Sequence, residues 1–258
     1  MKRPIKTLYY DVENSANEVY AWGGRMYDLQ AIKVKKPYQL LSYAYQWEGE
    51  KKVHVVTRQG QKSDKALVTS LAKLLNKADI VVTHNGIDSD HRKTRTRMVY
   101  HGIKPFKALA NVDTLKAART HFMFNGNSLG DLAVFLGVGE KMKHTGFNLW
   151  TACDEDDDPK AWRQMERYNK HDVTLLRAVY MKLRPWITNH PNVARVLNPL
   201  SGVLGQCPAC GSKSVHKRGY NFTLATVKRA WSCEDCGHRF QTIVPPAEKK
   251  EIKKRYNP

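Results

Sequence analysis

The sequence predicts an α/β fold, a mixed sheet flanked by helices, followed by a small module organised by cysteines. Strand-like runs come first and then alternate with helical stretches, the order expected of an α/β domain. Two CxxC pairs, 22 residues apart, lie outside that alternation near the C-terminus. Between the two parts stands "NHPNVARVLNPLSG", rich in Pro, Asn and Gly, which reads as a linker. The expected division is a main domain over 1–190, a linker over 191–204, the cysteine module over 205–244 and a mobile basic tail over 245–258.

The first three runs, "IKTLYYDV", "QLLSYAYQW" and "KKVHVVT", predict antiparallel strands. In the second, Leu41, Tyr43 and Tyr45 alternate with Leu40, Ser42 and Ala44, and "GEKK" before the third supplies a hairpin turn. "DKALVTSLAKLLNKA" puts Leu67, Leu71, Leu74, Leu75 and Ala78 on one stripe of a helix. "DIVVTHNG" is then a short buried strand stopping at Asn85-Gly86, and Asp90 follows at a strand-to-helix corner. "NVDT" is another short strand end, where Asp113 fits the N-cap of the helix "TLKAARTHF". "NSLGDLAVFLGVG" reads as a helix capped by Ser128 with Asp131 and stopped at Gly137. "DEDDD", Asp154 to Asp158, reads as a solvated loop. The last long helix must end near Pro185 and turns Tyr168, Asp172, Leu176, Val179 and Leu183 inward.

Charge narrows the function. The 258 residues hold 43 basic against 24 acidic side chains, a formal +19, which points to a polyanionic partner. No run approaches a membrane span, no basic amphipathic helix favours a membrane surface, and "MKRPIKTLYYDVEN" lacks the apolar core of a signal peptide. A cytoplasmic location is therefore expected, and in a reducing compartment paired cysteines favour metal over disulfides.

Four carboxylates stand where a purely structural role is costly. Asp11 and Glu13 are two apart on a strand, so both face the same side and repel. Asp172 lies on an otherwise apolar helical stripe. Converging with Asp90, they would make an oxygen-rich site for two Mg2+ or Mn2+ ions, which suits hydrolysis of a phosphodiester.

The ordered set D-x-E (Asp11, Glu13), H-N-G-x-x-x-D (His84 to Asp90) and Y-x-x-x-D (Tyr168 to Asp172) resembles the DEDD exonucleases of the ribonuclease-H-like superfamily. Tyr168, four residues before the last Asp, resembles the DEDDy branch, close to the proofreading domains of family B DNA polymerases. "NSLGDLAVFLGVGEK" is also similar to a helix of that branch, and the likeness extends over roughly residues 5–190. The resemblance implies a ribonuclease-H-like sheet and a 3′-5′ exonuclease. It also implies Asp11 bridging both metals, Glu13 and Asp172 completing one site, Asp90 serving the other, and Tyr168 orienting the attacking water. His84 and Asn85 are expected at the nucleic acid. There are departures: Ser89 stands where the family usually has a bulky apolar residue, and Asn14 where it commonly has Thr. Asp88 is a nearby rival to Asp90, which the family's spacing favours.

Cys207, Cys210, Cys233 and Cys236, each pair followed by glycine, have the spacing of a tetrahedral structural zinc site with hairpin strands between the knuckles. His216 and His238 are alternative ligands that four cysteines make unnecessary, and Cys153 reads as a free structural thiol. Residues 201–258 hold 11 Lys/Arg and 4 Asp/Glu, 11 − 4 = +7. Lys217, Arg218, Lys228, Arg229 and Arg239 alternate with Tyr220, Phe222, Trp231 and Phe240, a pattern suited to single-stranded nucleic acid; Trp231 and Phe240 fit a small core of the ribbon equally well.

The expectation is thus a metal-dependent 3′-5′ exonuclease acting on single-stranded ends, DNA favoured and RNA open, with two Mg2+ or Mn2+ and one zinc. The chain, with no polymerase part, resembles stand-alone exonucleases of bacteriophage or bacterial type, which would place it in a host cytoplasm if phage-encoded. A DNA polymerase or another replication protein is a candidate partner. The rival is a nucleic-acid-binding accessory protein with an inactive nuclease fold, against which all four carboxylates stand intact.

Overall fold

The structure is a computed structural model that describes residues 5–21, 33–143, 145–197, 205–223, 225–246, 248–249 and 251–252. A five-stranded mixed sheet forms its centre, in the order β5-β4-β1-β6-β7. The strands are β1 (Thr7–Asn14), β4 (Leu40–Trp47), β5 (His54–Thr57), β6 (Ile80–Thr83) and β7 (Ala110–Asp113). β1 pairs antiparallel with β4, which pairs antiparallel with β5, while β6 runs parallel to β1 and β7 parallel to β6. A short hairpin of β2 (Glu18–Tyr20) and β3 (Lys33–Lys36), not foreseen from the sequence, stands apart.

Both faces of β1 are covered, which explains its unbroken apolar run Leu8-Tyr9-Tyr10, each with no exposed surface. Leu8, Tyr10 and Val12 pack with Leu67, Val68, Leu71 and Leu75 of α1 (Lys65–Lys77). Tyr9, on the other face, packs with Val173, Leu176, Val179 and Tyr180 of α6 (Pro159–Leu183). Residues 11 and 13 therefore face α6. Burying side chains of this size favours the fold by about 2 kcal/mol each, so both faces of the strand are strongly specified.

α2 (Asp90–Tyr100) is tied to α1 by a buried charge cluster: Asp64, with no exposed surface, accepts from Arg97 Nε at 2.8 Å and Nη2 at 2.7 Å. Asp64 also accepts from the Leu40 amide at 2.9 Å, so the carboxylate is fully satisfied and burial is offset. α3 (Thr114–His121) and α4 (Leu129–Phe135) follow β7; α4 carries the expected capping box of Ser128 and Asp131. α5 (Phe147–Asp154) was not foreseen; the acidic run begins at its last residue and continues through a loop in which Glu155, Asp156 and Asp157 are exposed, while three of its carboxylates also make specific contacts. Asp154 pairs with Lys36 and Arg58, Asp157 accepts from the Trp162 indole, and Asp158 caps α6.

Part of the expected linker is ordered as α7 (Val193–Leu197), whose Val193 and Val196 pack on the main core, while 198–204 lie outside the described residues. Beyond it β8 (Val215–Phe222), β9 (Val227–Cys233) and β10 (Arg239–Ile243) form a separate antiparallel sheet in the order β10-β9-β8. The described part of the expected basic tail touches the ribbon sheet. Ile252 is buried with Val227 and Val244, because an apolar side chain among the lysines finds the open face of this sheet. Residues 253–258 lie outside the described residues. Among the described residues no helix is long and apolar enough to cross a membrane.

Candidate active site

Alternation along β1 delivers Asp11 and Glu13 to the face that α6 crosses, and helical periodicity turns Asp172 toward them. Carboxylate oxygens of Asp11, Glu13 and Asp172 lie within 4.8 Å of one another. The three repel and are poorly hydrated, so burial and then Asp172 push Asp11 up to about 7. Burial and Asp11 likewise raise Glu13 well above its usual range. Asp90 lies outside that 4.8 Å group; it is 6% exposed at the start of α2, and its carboxyl is raised by burial and by the Asp11 charge. It thus approaches the group from the Asp11 side. Asp88 is exposed and paired with Arg92 and Lys116.

Fixed neighbours hold the acids. Asn169, with no exposed surface, donates from Nδ2 to Asp11 Oδ2 at 2.8 Å and accepts from Ser42 Oγ at 3.0 Å. The Trp150 indole donates to Glu13 Oε2 at 3.0 Å and its ring meets Tyr168 edge-on. Lys141 Nζ donates to Asp172 Oδ2 at 2.8 Å and to the Tyr168 hydroxyl at 3.2 Å. Burial would lower the Lys141 ammonium, but Asp172 and Tyr168 hold it above its ordinary range, so it remains charged. Burial and Asp172 push the Tyr168 phenol up to about 12, so it is protonated at neutral pH. Lys93 Nζ donates to Asn14 Oδ1 at 2.6 Å, so the Asn at that departure brings a second cation beside Asp11 and Asp90.

The His84-Asn85-Gly86 corner ends β6. Gly86 is required there: a Cβ would lie 2.4 Å from Thr83 Cβ. Asn85 is exposed, and its amide donates to Asp113 Oδ1 at 2.9 Å while the Ile87 amide donates to Oδ2 at 3.3 Å. Asp113 also caps α3 through Leu115 and Lys116, so one side chain serves both the cap and the corner. Thr114 donates to the Thr83 carbonyl at 3.1 Å, which leaves its hydroxyl oxygen to accept from His84 Nδ1 at 2.9 Å. Burial lowers the His84 pKa, so the ring is neutral at pH 7.

Lys141, Lys93, Asn169 and Trp150 were not singled out from the sequence. Asn169 carried a signal, a polar residue beside Tyr168 on the buried side of the helix. Lys141 and Trp150 carried none, because their role depends on contacts 31 and 137 positions away in the chain.

The four cysteine sulfurs of the C-terminal module also lie within 4.8 Å of one another. Cys207–Cys236 and Cys210–Cys233 are 3.6 Å apart, too far for disulfides and near the roughly 3.8 Å edge of a tetrahedron with 2.3 Å zinc–sulfur bonds. The glycine after each pair, Gly211 at φ 78° and Gly237 at φ 72°, closes the two knuckles. His216 pairs with Glu234 and His238 Nδ1 faces the Pro185 carbonyl, so neither belongs to the cluster.

The expected nucleic-acid residues of the ribbon divide. Arg229 is 8% exposed, paired with Glu248 and stacked over Tyr220 and Trp231, so it is a core residue and unavailable to a ligand. Trp231 is 7% exposed against Phe240, so this aromatic pair also forms core. Lys217, Arg218 and Arg239 are exposed and Lys228 is half-buried.

A mixed sheet of this order, with carboxylates gathered where its central strand meets α6, defines an RNase H-like protein. The model described as RNase_H superfamily matches residues 35–184, over half the chain, and the chain belongs to that superfamily. That match covers Asp90, Tyr168 and Asp172 but begins after β1 with Asp11 and Glu13. The chain is structurally similar to the family B DNA polymerase from the hyperthermophilic archaeon Pyrobaculum calidifontis, with a TM-score of 0.54 and 14% identity. The likeness covers 76% of this chain and 27% of the polymerase chain and is one of fold. No curated protein matches the chain.

Proposed function

We propose that the chain is a metal-dependent 3′-5′ exonuclease that removes nucleoside monophosphates from single-stranded ends. The observation that carries this reading is the gathering of Asp11, Glu13 and Asp172 within 4.8 Å. Asp172 Oδ1 is also buried with no hydrogen-bond partner among the described residues, as a metal-ligating oxygen would be. The donor set is all carboxylate oxygen, which suits Mg2+ or Mn2+. Asp11, Glu13 and Asp172 would hold one ion, and Asp11 with Asp90 a second. Such ions, when bound, lower the pKa of water and neutralise charge on the phosphodiester.

The chain's own groups do the rest. Tyr168, protonated at neutral pH, holds the attacking water by a hydrogen bond rather than as a base. Lys141 keeps Asp172 and the Tyr168 hydroxyl in register. Trp150 and Asn169 fix Glu13 and Asp11, so the acids need no rearrangement during the reaction. Asn85, exposed at the corner that ends β6, offers hydrogen bonds to the terminal nucleotide, with neutral His84 next to it in the same corner. Water gives up a proton to solvent as its oxygen bonds to the last phosphorus, the bond to the preceding 3′ oxygen breaks, and that oxygen takes up a proton. The four-cysteine cluster would hold one structural zinc.

The test is cleavage of 5′-labelled DNA and RNA oligomers, single- and double-stranded, with Mg2+, Mn2+ or EDTA. Shortening from the 3′ end that needs metal, and that Asp11→Ala and Asp172→Ala remove, is expected. Near-normal cleavage by the Asp11→Ala protein would refute the reading.

A further inference from the structure

The ribbon sheet has two chemically different faces. Its register sets Trp231 opposite Phe240, and Arg229 opposite Thr242 and Tyr220, so the aromatics and Arg229 share one face. Glu248 neutralises that face, and Ile252 helps to cover it. On the other face Asn221 stands opposite Lys228, Gln241 opposite Ala230 and Arg239 opposite Ser232. Arg218 joins them, its Nε donating to Ser232 Oγ at 2.7 Å. Among the described residues, neither Arg218, Lys228 nor Arg239 has an acidic partner.

Residues of this face border a cleft of about 1120 Å³, whose lining also takes in Trp231, Phe240 and Thr242 from the aromatic face. Arg218, Asn221, Arg239 and Gln241 line it from the sheet, and His190 and Asn192 from the segment after α6. No carboxylate lines it. The segment is held firmly: His190 bonds Tyr180 through Nε2 and the Pro191 carbonyl through Nδ1, each at 2.8 Å. The ribbon is held too, by the Val193 amide on the Pro208 carbonyl at 2.7 Å and by His238 at Pro185. The volume exceeds the ~300–1,000 Å³ usual for a small ligand, and fixed cations with amides around them suit a chain of phosphates and bases. Ile187, Asn189 and Pro191 of the same segment line a small cavity that reaches Ile87 and Asp113 at the His84-Asn85-Gly86 corner.

We propose that this cleft is a second binding site for single-stranded nucleic acid, with Arg218 and Arg239 on phosphates and Asn192, Asn221 and Gln241 toward base edges. The site holds the strand apart from the carboxylates, so substrates long enough to reach both gain from it during cleavage. The inference rests on the reading of the chain as a nuclease of single strands.

The experiment measures anisotropy of fluorescein-labelled (dT)30 on the full chain across a salt series, without added divalent metal. The proteins are the parent, Arg218→Ala/Arg239→Ala, the length-preserving Arg218→Gln/Arg239→Gln, and a charge-matched control on α1, Lys73→Ala/Lys77→Ala. Zinc content by elemental analysis identifies the cleft pair that keeps the ribbon folded. That pair is expected to bind (dT)30 at least tenfold more weakly. Its salt slope should shrink by roughly 1.4, for two phosphate contacts at ~0.7 each on a single strand. Affinity of the control pair should stay near the parental value. Unchanged (dT)30 affinity overturns the proposal, as does an equal loss in the control pair. Because binding is read without cleavage, a protein that cuts no substrate would end the proposed activity and leave this measurement standing.

Discussion

Asp11→Asn should make the metal-free protein more stable. In the folded chain Asp11 ionises at about 7 against an ordinary 3.8, first because it is buried and then because Asp172 is close. A carboxyl whose folded pKa is raised contributes stability that is full below the unfolded pKa and lost as pH rises through the folded one. The two values differ by about 3 pH units, and each is worth about 1.4 kcal/mol, so the shift costs roughly 4 kcal/mol at pH 8 and about two-fifths of that at pH 5. The amide substitute carries no charge and can still accept from Asn169 Nδ2, now at 2.8 Å from Asp11. Urea unfolding followed by circular dichroism, at pH 5 and pH 8, checks this. The variant is expected to exceed the parent by up to ~4 kcal/mol at pH 8 without metal, with a smaller gap at pH 5. Mn2+ at a hundredfold excess over its Kd should add about 2.7 kcal/mol to the parent and much less to the variant. A metal-free variant no more stable than the parent at pH 8, or equal gain from Mn2+ in both, would refute the view that these acids repel until a cation joins them.

Tyr168→Phe removes the hydroxyl but keeps the ring against Trp150, so kcat should fall ~10- to 100-fold, the loss of one hydrogen bond, with KM and folding unchanged. Cleavage at the parental rate would retire the water-positioning role. Cys233→Ser should release zinc and unfold the ribbon, since its own apolar clusters are small, while the core around β1 and α6 persists with activity on short substrates. Elemental analysis decides it, and stoichiometric zinc in the variant would show that Cys233 is not a ligand.

What the sequence determined by itself was everything governed by short-range periodicity. The two-residue repeat of β1 put Asp11 and Glu13 on one face, and the helical repeat of α6 put Tyr168 and Asp172 on its inward stripe. The capping box at Ser128 and the cysteine knuckles are equally local, each a matter of a few residues and their turn geometry. Tertiary structure alone decided what each charge meets. It brought Lys141 to Asp172 across 31 positions and Trp150 to Glu13 across 137. It gave Asp154 of the acidic run its cationic partners, Lys36 and Arg58. It also split the ribbon's basic residues, burying Arg229 under Glu248 and leaving Arg218 and Arg239 facing the cleft. In the sequence these arginines look alike, because a strand's faces are fixed by register and by what packs on them, and a buried cation is tolerated only where the fold supplies its counter-charge.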